Sequence, residues 1–207
     1  MNKFPNKNYA NISDYSKEYF DLKYSLTEKL NFEVLQLISD SITECYNNNN
    51  FVFSCGNGGS ASISNHLVCD HIKGIQSDTT LKPKVISLSN NIELITAISN
   101  DISYEEIFSY QLNSLGSSND ILIVISSSGN SKNVINAIKT AKSIKMKVIS
   151  LTGFDGGLVK KHSDINLNID CFNYGIVEDM HQSIMHILAQ YIRNSLMNDK
   201  QIKDKLF

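Results

Sequence analysis

Apolar side chains in the first fifty residues recur at helical intervals. Between Ser13 and Tyr46 they fall at Tyr19, Phe20, Leu22, Leu26, Leu30, Phe32, Leu35, Leu37, Ile38 and Ile42. That spacing predicts two amphipathic helices, packed on a core or on a partner chain. The polar run from Tyr46 to Asn50 breaks the pattern and reads as a loop of biased composition. Beyond it the character changes. Short β-rich runs at Phe51–Ser54, Lys84–Leu88, Ile121–Ser126, Lys147–Leu151 and Ile165–Ile169 alternate with helical segments. The helices are expected at Ser60–Lys73, at Asn91–Ala97 continuing to Tyr104–Leu115, at Ser131–Ile144 and at Val177–Met197. The runs are apolar throughout instead of at every second residue, which marks strands buried on both faces. The expected fold is therefore α/β: a five-stranded parallel sheet with helices on both faces. No internal repeat is visible, and the chain reads as one domain, with residues 1–50 a helical segment and 51–195 the α/β core.

Composition narrows the function classes. With 207 residues, 42% of them hydrophobic, the chain can bury a sizeable core. A formal net charge of −2, with lysines scattered and none clustered beside aromatic residues, argues against nucleic acid as a partner. Cys45, Cys55, Cys69 and Cys171 form no CxxC pair and suit reduced thiols. The N-terminus is polar without an apolar h-region, and no apolar run approaches a membrane span. A cytoplasmic protein with no membrane partner is the expectation.

Two turns between strand and helix suit a phosphate. In "FVFSCGNGGSAS", Gly56, Gly58 and Gly59 surround Asn57 ahead of a helix. In "ILIVISSSGNSKNVINAIKTAK", a buried strand runs into Ser126, Ser127, Ser128, Gly129 and Ser131 at the mouth of another. A tight turn needs one glycine and one cap, so four hydroxyls point to a bound group. Glycines let backbone N–H groups face inward, and a helix N-terminus carries partial positive charge. Serine hydroxyls can donate to phosphate oxygens without a buried cation. The spacing is neither a dinucleotide fingerprint nor a P-loop, since no Lys follows the glycines. A phosphorylated small molecule, bound at the carboxyl ends of the strands, fits best. A third turn, "LTGFDGG" from Leu151 to Gly157, reads as structural.

Ionisable groups add a second kind of chemistry. His66 and Asp70 are four apart on one predicted helix and share a face. Glu178 and His186, eight apart, lie about two turns from each other on the last long helix. Two His and two carboxylates flanking the sheet can form either a metal site or an acid–base pair. His71, His162 and His181 read as structural or surface residues.

Five segments carry a family likeness. "SCGNGGSASISNHLVCDHIKG", "AISNDISYEEIF", "ISSSGNSKNVINAI", "VISLTGFDGG" and "VEDMHQSIMHIL" resemble the SIS (sugar isomerase) domain, and within it the phosphoheptose isomerases. The resemblance runs from roughly Phe32 to Asn194, with "SxSGNS" specific to the class. It implies a three-layer flavodoxin-like sandwich whose N-terminal helices serve oligomerisation, as a homotetramer with sites at subunit interfaces. It implies interconversion of sedoheptulose 7-phosphate and D-glycero-D-manno-heptose 7-phosphate, a step towards lipopolysaccharide or capsule. Carried over by position, sugar-phosphate contacts fall on Asn57, Gly58, Gly59, Asn100, Asp101, Ser126, Ser127, Ser128 and Ser131, with Asp70 and Glu178 also reaching substrate. Metal positions fall on His66, Asp70, Glu178 and His186, a set suited to Zn²⁺, and the catalytic pair on Asp70 and His186. Two positions depart from the family. Asp70 stands where it has glutamate, one methylene longer, and Glu178 where it has glutamine. The second reading within the family is a non-catalytic sugar-phosphate sensor or a partner of the bacterial replication initiator. Retention of His66, Asp70 and His186 favours the enzyme.

Overall fold

The computed structural model describes residues 2–206. Five parallel strands lie in the order β2-β1-β3-β4-β5: β1 Phe51–Cys55, β2 Lys84–Ser87, β3 Ile121–Ser126, β4 Lys147–Gly153 and β5 Ile165–Ile169. The central strand β3 is buried at every position. Its Ile121, Ile123 and Ile125 pack into one core and its Leu122 and Val124 into the other, as the two-residue period of a strand requires. All five predicted strands are present, and β4 runs two residues further than its sequence suggests.

Helices cover both faces. On one lie α1 (Ile12–Thr27), α2 (Phe32–Asn47), α3 (Gly59–Cys69) and α8 (Tyr174–Ser195). On the other lie α4 (Ile92–Asp101), α5 (Ser109–Leu115), α6 (Lys132–Ser143) and α7 (Gly157–His162). A short α9 (Asp199–Asp204) follows, opened by an Asn198–Gln201 capping box. Asn11, Asn31, Asn91 and Asn173 cap α1, α2, α4 and α8, each side chain accepting a backbone N–H of the first turn. Among the described residues no helix is long and apolar enough to cross a membrane.

Three details differ from the pattern-based expectation. The helix expected over Ser60–Lys73 stays α-helical only to Cys69 and widens into a π-helical stretch at Asp70–Ile75. The change falls where neighbours are drawn to different surroundings. Asp70 faces the imidazoles of His66 and His186, while His71 is fully buried with Nδ1 against the Tyr46 hydroxyl. The segment read as one continuing helix from Asn91 to Leu115 breaks after Asp101, where Ser103 is extended, and passes through a 3-10 turn at Tyr104–Glu106 before α5. Helices α7 and α9 carry too few apolar positions to show a period.

His181, read from the sequence as structural or surface, is fully buried on α8 with Nε2 near the Thr152 carbonyl at 3.1 Å. Burial pushes its pKa down to about 4. The folded state therefore refuses a proton that the unfolded chain accepts near the ordinary value of 6.5. This contribution to stability is complete above that value and is lost as pH falls towards 4. Replacing His181 with Gln, which keeps a donor for Thr152, should flatten the stability–pH slope in that window by about 1.4 kcal/mol per pH unit. Denaturant unfolding across the pH series measures it, and an unchanged slope would place the acid sensitivity elsewhere.

Candidate active site

The serine turn is held open by its neighbours. Gly129 has φ +65°, and a Cβ there would lie 2.0 Å from the Gly156 carbonyl oxygen, so only glycine fits. Around it, Gly153 N–H donates to Ser127 O at 3.0 Å and Val159 N–H to Gly129 O at 2.9 Å. Leu158 N–H donates to the Asn130 side chain at 3.1 Å. The "LTGFDGG" turn, expected to be structural, is thus the brace of the serine turn. Ser126 Oγ accepts from Gly129 N–H at 3.2 Å. Ser127 Oγ is buried without a hydrogen-bond partner, and Ser131 begins α6 without using its side chain as a cap. Two hydroxyls and the N–H groups of the first turn of α6 are therefore available to an anion.

The glycine turn is tied to this one. Asn57 and Asn133 exchange amide hydrogen bonds of 2.9 Å in both directions, and Tyr104 Oη donates to Asn57 Oδ1 at 3.0 Å. Asn57, expected as a substrate contact, joins the two turns through its side chain. Neither Asn133 nor Tyr104 stood out in the sequence, since a single Asn in a first helical turn looks like ordinary capping. Asn100 and Asp101 lie exposed in the last turn of α4, bonded to one another at 2.8 Å.

The acid–base candidates meet between two parallel helices. Asp70 Oδ1 is 3.2 Å from His66 Nε2, and Asp70 Oδ2 is 3.6 Å from His186 Nε2. The two imidazoles meet edge to face, 5.2 Å between centroids. Asp70's side chain is 20% exposed against 49% for His66 and 44% for His186. Its Oδ2 is buried and has no hydrogen-bond partner. An orphaned carboxylate oxygen is costly unless something cationic meets it. The donor atoms of His66, Asp70 and His186 lie within 4.8 Å of one another, so this set fits a divalent cation. A cavity of about 340 Å³ opens beside Asp70 and His186, walled by Lys73, Arg193 and Leu206. A larger cavity of about 640 Å³, lined by Asn50, Asn119 and Lys147, sits at the amino ends of the strands. That cavity is lined by none of the serine-turn residues and by none of His66, Asp70 and His186.

Glu178 stands outside the three-residue cluster. Its carboxylate is packed on Gly59, where an added Cβ would come within 2.3 Å of Oε2. The N-terminus of α3 favours an anion at this spot. Burial, with Asp179 beside it, outweighs that and raises the Glu178 pKa above its ordinary 4.5. The shorter Asp70 still reaches both imidazoles. A residue unremarked in the sequence also joins them: Gln182 Nε2 is 2.9 Å from His186 Nε2. Its position four before His186 was the available signal.

The chain is similar to known proteins over most of its length. The SIS domain family model matches residues 14–153. The phosphoheptose isomerase of Helicobacter pylori (strain ATCC 700392 / 26695) is 39% identical over 178 residues, covering 85% of this chain and 92% of that protein. The solved structure of the Neisseria gonorrhoeae phosphoheptose isomerase superposes with a TM-score of 0.81 at 30% identity, covering 88% of this chain and 97% of that one. That from Francisella tularensis gives 0.82 at 29%, covering 88% and 96%.

The raised Glu178 pKa carries a sign. The folded state holds this proton more tightly than the unfolded chain, so ionisation destabilises the fold as pH rises above about 4.5. Glu178→Gln should melt with the wild type at low pH and above it at neutral pH. Thermal unfolding at both pH values checks this, and a lower neutral melting point for the variant would mean that α3 holds the charged carboxylate favourably.

Proposed function

The chain belongs to the SIS domain family, and we propose that it works as a phosphoheptose isomerase, converting sedoheptulose 7-phosphate to D-glycero-D-manno-heptose 7-phosphate in heptose precursor biosynthesis. One observation carries the reading. In a chain so similar to phosphoheptose isomerases, a buried carboxylate oxygen without a hydrogen-bond partner faces one imidazole while its twin faces another.

The reaction moves one proton between adjacent carbons. Asp70 Oδ2 takes the proton from C1 of the ketose, giving an enediolate. His186 returns a proton to C2 while the O1 hydroxyl proton passes to O2, leaving the aldehyde at C1. His66, at the other Asp70 oxygen, fixes the carboxylate's orientation. A zinc ion held by His66, Asp70 and His186 supplies, when bound, Lewis-acid polarisation of the carbonyl and the countercharge for the enediolate. Ser126, Ser127, Ser128 and Ser131 take the phosphate, with the amides of α6. Gly58, Gly59 and Glu178 line the neighbouring turn, and Asn57, Asn100 and Asp101 complete the sugar contacts.

Distance supports an assembled site. Gly59 and Asp70 are eleven residues apart along α3, about 16 Å at helical rise, with the π-helical step falling only at the end. The serine turn leaves the neighbouring strand at the level of Gly59. A fully extended seven-carbon sugar phosphate falls short of that span. The phosphate turn of one subunit therefore serves the acid–base cluster of another, in a homotetramer with sites at its interfaces. Exposed Ile12, Phe20, Tyr24, Phe32 and Leu37 on α1 and α2 supply apolar surface for such contacts.

Two substitutions separate the roles on sedoheptulose 7-phosphate. Asp70→Asn keeps shape and removes the base, and kcat should fall on the order of 10²-fold or more with KM little changed. Ser131→Ala should instead weaken binding by about 0.5–1.5 kcal/mol, read as a higher KM. Full activity in the Asp70 variant would remove the assignment.

A further inference from the structure

We infer that Tyr46 and His71 are the positioning residues of the active site. Their buried contact sets the rotation of the chain at Asp70 and so aims its carboxylate between His66 and His186. The inference rests on Asp70 acting as the base, as proposed above.

The pair is sunk among apolar neighbours. His71 is 0% exposed and Tyr46 5%, and Tyr46 shares its core with Leu67, Ile75 and Leu81. The Tyr46 hydroxyl meets His71 Nδ1 and, among the described residues, no other partner. The two rings lie edge to face, 5.9 Å between centroids. His71 Nε2 is buried with no partner at all. An apolar side chain would fill this space without that cost. Loss of the hydroxyl would leave both ring nitrogens unmet, so the contact holds the imidazole in one place.

Helix geometry links that place to Asp70. Leu67, His71 and Ile75 are fully buried at four-residue steps. Along an α-helix each such step turns a side chain about 40° further, so Ile75 would stand about 80° from Leu67. The wider π turn, closed from i to i+5, turns the drift back. The π-helical stretch Asp70–Ile75 thus keeps all three side chains on the same core. It begins at the residue immediately ahead of His71. Neighbouring side chains on a helix diverge by about 100°. Holding His71 inward therefore presents Asp70 sideways, where α8 brings His186. π-Helical steps recur at functional sites, and here the step has a job.

Proton transfer is sensitive to such aim. Misplacing a reacting group by about 1 Å can cost about 10²-fold in rate. The serine turn stands on a different element, at the end of β3. A fault in the Tyr46–His71 pair should therefore show in kcat and leave KM alone.

Kinetics on sedoheptulose 7-phosphate, with melting of each variant, separate aim from stability. Tyr46→Phe and His71→Leu should each lower kcat by about tenfold or more, with KM little changed. His71→Asn, whose side-chain amide stands where Nδ1 does, should recover most of that loss. The double variant should be no slower than His71→Leu alone, since both changes remove one contact. Ile75→Val, in the same π-helical stretch, should melt lower and keep its kcat. Tyr46→Phe serves alone if His71→Leu does not fold. Wild-type kcat in folded Tyr46→Phe would overturn the inference. So would an Ile75→Val protein as slow as Tyr46→Phe, or a folded His71→Asn as slow as His71→Leu. The crystal structure of Tyr46→Phe answers without turnover: Asp70 should no longer reach both imidazoles, and an unmoved carboxylate would overturn the inference. A wild type inactive on sedoheptulose 7-phosphate would instead overturn the proposed function.

Discussion

Burying half of a carboxylate next to two imidazoles is the physical constraint around which this side of the molecule is arranged. Asp70 has one oxygen facing His66 and another, buried and without a hydrogen-bond partner, facing His186. Left alone in a protein interior such an oxygen is expensive. Its surroundings are therefore built to meet it. Helices α3 and α8 run side by side, with Gly59 beside Glu178 near their starts and Asp70 beside His186 further down. Gly59 has no side chain, and that lets Glu178 lie flat on α3. At Asp70 the helix widens, and the next residue, His71, turns into the core towards Tyr46.

The same two helices explain why the site is divided. The serine and glycine turns stand at the carboxyl ends of β3 and β1, joined by the Asn57–Asn133 amide pair. Asp70 lies at the far end of α3. A sheet of this kind offers its anion sites at the strand ends, where helix N-termini converge. The His66–Asp70–His186 cluster lies on a flank where two helices present their sides. Those are different places on one chain.

Much of this was legible in the sequence. Apolar-rich runs marked the strands, although β5 alternates as Ile165, Asn166, Leu167, Asn168 and Ile169, and the excess of hydroxyls after β3 marked a turn whose Ser127 hydroxyl is buried without a hydrogen-bond partner. The His66–Asp70 pair followed from helical spacing alone, whereas its meeting with His186 spans more than a hundred residues and needed the fold. What stayed hidden has physical causes. Helix α7 is too short to show a period, yet its first turn braces Gly129. The π-helical step has no spacing signature. Gln182 is a common surface residue, and only the fold brings its amide to His186. Glu178 was assigned to the metal by position within the family, and its carboxylate is instead packed on Gly59, away from the three-donor cluster.

The central claim is that isomerisation runs through an enediolate, with Asp70 removing a proton from C1 and His186 returning one to C2. Turnover of sedoheptulose 7-phosphate in deuterium oxide, followed by proton and deuterium NMR, tests it most directly. The account expects a heptose product carrying solvent deuterium at C2, and ketose recovered from the reaction carrying it at C1. A product formed without solvent deuterium, or no product, would contradict it.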